Sequence, residues 1–219
     1  MNKFSITKRR ILGLATLGLV IAPVFASSLA SANTASTTIS SVITANITAF
    51  TTSGTVNVNA SSASGVKQTV NTDLITISTN DTSGYTLKLQ DADTSNALCI
   101  TPGSSCTGIP STSATSSSPA LMSTANQWGY HIDGTTSWCT GGGSTCGATF
   151  GTTLSSNQAA SGTLNFAKVP LSSGTADTLK TTATTASGDT TYVWYGVNID
   201  PTQASGTYTD SVTYTATAN

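Results

Sequence analysis

The chain has 219 residues, with Lys+Arg 8, Asp+Glu 9, a single histidine and four cysteines. Four of the basic residues (Lys3, Lys8, Arg9, Arg10) lie in the first ten positions, so the rest of the chain sets four lysines against nine aspartates, a net charge of −5. Nucleic-acid or anionic-membrane binding is not expected from that balance, because neutralising phosphates takes clustered Lys/Arg and no arginine follows Arg10.

The basic start leads into an uncharged apolar run, Ile11 to Phe25, and then into Ala30-Ser31-Ala32. That order is expected to be a helical secretory signal peptide over residues 1–32, cleaved before Asn33. An uncleaved anchor is the alternative, but Pro23 and the small residues after it suit a cleavage region better than a membrane span. Residues 33–219 are then expected to form one domain after a polar lead, with no membrane span in the mature chain.

Glutamate is absent, Ser and Thr dominate, and strong helix formers other than Ala and Leu are scarce. Thr, Val, Ile and Tyr fit a pleated surface instead. Ile39 to Thr52, with Ile43, Ala45, Ile47 and Ala49 in alternation, predicts a first strand; Val56 and Val58 continue it, and 60–65 reads as a linker. Leu74 to Thr79 and Tyr85 to Gln90 flank the turn cluster Asn80 to Gly84 and read as a hairpin. Asp91 to Pro119 is mostly turn chemistry. Gln127 to Ile132 predicts a strand, 163–169 carries Leu164 and Phe166, and 175–188 reads as a loop or edge strand. Two alternating runs in Tyr192 to Asn219, joined by a Pro/Gly-containing loop, predict a closing antiparallel pair. The expectation is an all-β fold, a two-sheet antiparallel sandwich of Ig-like or jelly-roll type.

Cys99/Cys106 and Cys139/Cys146 share the same interval, each spanning loop-like sequence. Export makes disulfides plausible, and local pairing within each interval is the expectation, although four cysteines allow three pairings. The usual C-x₂₋₄-C spacing of a zinc site is absent.

Several of these stretches resemble a known group. Thr76-Ile-Ser-Thr-Asn80 running into Gly84-Tyr-Thr-Leu87, then Trp128-Gly-Tyr130, Tyr195-Gly-Val-Asn-Ile199 and Gly206-Thr-Tyr-Thr-Asp-Ser-Val-Thr-Tyr214, are similar to exported β-sandwich proteins of bacterial surfaces. Two such groups are the WxL-domain-like wall proteins and the pilin-like proteins of the spore coat protein U group. In both, a Gly-x-Tyr segment opens the last strand. The chain departs from the first in having no Trp-x-Leu pair, and from the second in its cysteine pattern.

Residues for catalysis are scarce. His131 is the sole histidine, sits between Tyr130 and Ile132 in a predicted strand, and has no G-x-S-x-G turn to serve. Asp91 and Asp93 are spaced as a carboxylate pair, but Asp-Ala-Asp-Thr-Ser-Asn is ordinarily the start of a turn. The same run, Asp91-x-Asp93-x-Ser95, mimics the opening of a calcium loop; Asn96 and Pro102 stand where that loop needs Gly and an acid. Aromatics in strands are ordinarily core, whereas exposed rings stack on sugars. Trp138, flanking a glycine-rich loop, and Trp128 and Tyr130 are the candidate ligand contacts. The expected function is therefore that of a non-catalytic, exported structural or adhesive protein of the cell surface without a cofactor, contacting a surface polymer, other surface proteins or itself. One version has Ile39 to Thr52 completing another copy's sheet. The alternative is a glycan-binding module that uses loop aromatics.

Overall fold

The computed structural model describes residues 38, 40–52, 54–60, 67–100, 108–132, 138, 158–159 and 164–219. The chain divides into two compact units, residues 1–43 and 44–219, and the fold is that of the second. The expected signal peptide lies outside the described residues.

Strands β1 (Ile47–Thr51), β2 (Lys67–Thr79), β3 (Tyr85–Asp91), β4 (Gln127–Ile132), β5 (Gln158–Ala159), β6 (Asp177–Thr181), β7 (Ala186–Ile199) and β8 (Val212–Ala218) form two antiparallel sheets. The larger has the order β1-β2-β7-β4, with β5 also on β2; the smaller is β6-β3-β8. The all-β expectation agrees with this architecture. Residues 127–132 form the strand expected there, and β6 falls inside the expected edge segment.

Both expected hairpins are corrected. β2 lies in the larger sheet and β3 in the smaller, so residues 80–84 turn a corner between sheets. Likewise β7 pairs with β2 and β4, whereas β8 pairs with β3, so the closing runs are not partners. The physical reason is that a period of two says which side of a ribbon is buried. Two ribbons satisfy it equally well side by side or face to face. The first corner is made by Asp81, whose Oδ1 accepts from Ser83 N at 2.8 Å and whose carbonyl accepts from Gly84 N at 3.1 Å. Gly84 takes φ +86°, and a Cβ there would meet the Thr182 carbonyl. Glycine is required at that position.

One hydrophobic cluster draws on both sheets. Ile75 and Ile77 of β2, Trp128, Tyr130 and Ile132 of β4, and Val193, Tyr195 and Val197 of β7 meet Tyr85, Leu87 and Leu89 of β3. Burying each such side chain is worth roughly 1.5–3 kcal/mol, which makes this cluster the main stabilising element. Edge strand β8 packs Val212, Tyr214 and Ala216 against it and leaves its threonines exposed.

The far side of β7 is also covered. Val70, Met122, Leu164, Phe166 and Trp194 form a second cluster there. Gly129 and Gly196 face each other across the β4–β7 ladder and make a notch. A Cβ on Gly196 would collide with the Phe166 ring, and one on Gly129 would lie 2.7 Å from the Ala167 carbonyl oxygen. Asn198 holds the covering loop in place, its Nδ2 donating to Met122 O at 2.9 Å and Thr124 O at 3.0 Å.

Candidate functional site

Four tyrosine hydroxyls tie the two sheets together at three places. Tyr130 of β4 donates to Asp177 Oδ2 of β6 at 2.7 Å, and Ser116 donates to Asp177 Oδ1 at 2.6 Å. Tyr85 of β3 donates to Asp189 Oδ2 of β7 at 2.8 Å, while Lys180 Nζ of β6 holds Asp189 Oδ1 at 2.6 Å. Tyr195 of β7 and Tyr214 of β8 share a 2.6 Å hydroxyl–hydroxyl bond. Burial pushes all four phenols up from their ordinary range, helped by Asp177 at Tyr130, by Asp189 at Tyr85 and by the Tyr195 partner at Tyr214. Burial works against the Asp189 carboxylate, but the hydrogen bonds from Lys180 and Tyr85 outweigh it and hold Asp189 below its usual value. These contacts tie the two sheets together.

The aromatic candidates belong to the core. Trp128, Tyr130 and Trp138 are 3%, 0% and 4% exposed. Trp128 Nε1 donates to Asn96 O at 2.8 Å, and the Tyr130 and Trp138 ring centroids lie 5.1 Å apart. None offers a ring face to a sugar, including Trp138, whose glycine-rich neighbourhood suggests exposure. His131 is buried too, with Nδ1 2.9 Å from Asn165 O and its ring packed against Trp138 and Phe166. Cys99 is disulfide-bonded. Cys106, Cys139 and Cys146, and with them the expected pairing, lie outside the described residues.

Two places on the second unit remain chemically distinctive. The first is β1, which pairs with Ile75–Thr79 of β2 and has no strand on its other side among the described residues. Four of its five side chains are exposed, Phe50 among them at 58%. By contrast, the outer side of β4 is covered by short bridges, Tyr130 to Ala167 and Trp128 to Ser111.

The second place is the end of β3. Asp91 follows Tyr85, Leu87 and Leu89 in the inward phase of that strand and is 2% exposed. The turn expected here is present: Asp93 N donates to Asp91 Oδ1 at 2.8 Å and Ser95 N to Asp93 Oδ1 at 2.7 Å. Asp210, just before β8, brings a third carboxylate, and one oxygen from each of the three lies within 4.8 Å of the others. Burial pushes Asp91 up to about 6. Burial and then the Asp91 charge push Asp210 up to about 7. Spacing in the sequence pointed to Asp91 and Asp93. Asp210, more than a hundred positions later, is delivered by the β3–β8 ladder, in which Asp91 faces Val212.

Comparison with known protein families, characterised proteins and solved structures gave no match. Among the described residues no helix is long and apolar enough to cross a membrane.

Proposed function

We propose that this is a non-catalytic exported protein of a cell surface, a two-layer sandwich that builds or decorates that surface by exchanging strand β1 between copies. The outer edge of β1, which has no strand partner among the described residues, carries the proposal. An uncovered edge strand is a ready template for another chain, and proteins that do not use one ordinarily blunt it with charge, proline or a cover. β1 (Ile-Thr-Ala-Phe-Thr) carries no charge or proline, has no strand on its outer side among the described residues, and presents Phe50 to solvent. Its ladder to β2 is five residues long. Exchange would replace one β1–β2 ladder with the same ladder between copies, at little cost in contacts. Closure of small loops by disulfides at Cys99/Cys106 and Cys139/Cys146 belongs to the same proposal, since it stiffens an exported domain.

Thr48 and Ser78 face each other in the β1–β2 register. Mixing Thr48→Cys protein with Ser78→Cys protein under oxidising conditions is expected to give a cross-linked species of twice the chain mass. Cross-linking that occurs only when both cysteines are on one chain would rule out exchange. The burial of Trp128, Tyr130 and Trp138 favours this reading over the glycan-binding alternative.

A further inference from the structure

We infer that Asp91, Asp93 and Asp210 bind a hard divalent cation with the ligand preferences of calcium, at the point where β3 ends and the chain enters β8. Their oxygens lie within 4.8 Å of one another. That is about the widest separation two oxygens reach across an ion that each approaches to ~2.4 Å. Carboxylate oxygens are the donors that calcium and magnesium select, and no nitrogen or sulfur ligand belongs to the group.

A second observation, separate from the clustering, points to a ligand. Asp91 turns its carboxylate into this group while only 2% exposed, and its Oδ2 is shielded from solvent with no hydrogen-bond donor among the described residues. Asp210 Oδ2 is in the same condition. A buried carboxylate oxygen without a donor is expensive, and two beside each other add repulsion. The ion pair found among the described residues, Lys180 with Asp189, serves the other strands. A cation between the three carboxylates supplies the missing charge and uses the orphaned oxygens, with water completing its shell. The raised proton affinities of Asp91 and Asp210 have the same origin in burial.

The cation would also have a structural effect. Ala92 N donates to Ser211 O at 2.9 Å, and Cys99 and Thr209 exchange backbone hydrogen bonds at 2.9 and 2.8 Å. A bound ion adds a third tie between the turn after β3 and the segment leading into β8. This inference does not depend on strand exchange, and its test reads binding and melting rather than assembly.

Calcium titrated calorimetrically into the full chain, after treatment with chelator, is expected to bind one ion with a Kd of ~0.1–1 mM, the range of extracellular calcium modules. It should also raise the melting temperature. Asp210→Asn and Asp93→Asn should each weaken binding ~10-fold or more while leaving the β-sheet circular dichroism unchanged. Asp93→Asn carries the test should Asp210→Asn not fold. No heat and no melting shift with calcium, magnesium or manganese would overturn the site and leave a shared proton as the resolution of the charge. Binding retained in both variants would overturn it as well, and magnesium binding as tight as calcium would overturn the choice of ion.

Discussion

Gly196 shows how a single missing side chain shapes this molecule. It lies opposite Gly129 at the centre of the larger sheet, and the Phe166 ring occupies the space its Cβ would take. Glycine inside a strand ordinarily weakens it, and here the return is a closely seated aromatic. Gly196→Ala is expected to destabilise by ~1–3 kcal/mol through overpacking. Pairing it with Phe166→Ala should recover part of that loss in a thermal double-mutant cycle; purely additive effects would show that the ring is not the cause. Both glycines stand out in the sequence, Gly129 between two aromatics in Trp128-Gly-Tyr130 and Gly196 directly after two in Trp194-Tyr-Gly196. Their partner was not legible, because nothing local ties Phe166 to a strand thirty residues away. Asp91 carries the same lesson. Its turn chemistry could be read from Asp-Ala-Asp, but its burial came from its place in the inward phase of β3 and from Asp210.

Among the strands, those with clean alternation could be read and those without it could not. Gln127–Ile132 was legible because its inward residues, Trp128, Tyr130 and Ile132, are large and apolar. The first half of β2 was not, since Lys67-Gln-Thr-Val-Asn-Thr-Asp73 carries one aliphatic residue and is held by pairing with β7. The face of β7 turned away from the main cluster is buried as well, with Trp194 and Asn198 under the covering loop. Pairing was misread at both corners because sequential strands usually are neighbours, and here they turn into the opposite layer. Burial predicts a ranking of local stability. Residues 193–198 of β7 are buried on both faces, whereas β1 is mostly exposed. Native-state hydrogen exchange should find the β7 amides opening only by global unfolding, and those of β1 exchanging by local fraying. Equal protection of the two strands would contradict this ordering.

At the level of the whole molecule, the tyrosine bonds between sheets link stability to alkaline pH. Tyr85, Tyr130, Tyr195 and Tyr214 have folded pKa values raised above the unfolded value near 10. A raised folded pKa contributes stability that is fully present below the unfolded pKa and is lost as pH rises through the folded one. Stability should therefore fall steeply above pH ~10. Absorbance of phenolate should then rise in one step with the loss of tertiary circular dichroism, rather than gradually before it. The threading between layers has one more consequence. β2 finds its central partner only in β7, and residues 80–185 separate them along the chain. A polypeptide emerging from a ribosome or a membrane pore, N-terminus first, cannot complete the middle of its larger sheet until residues 186–199 are out. Such late closure makes for slow folding and a long-lived threadable chain.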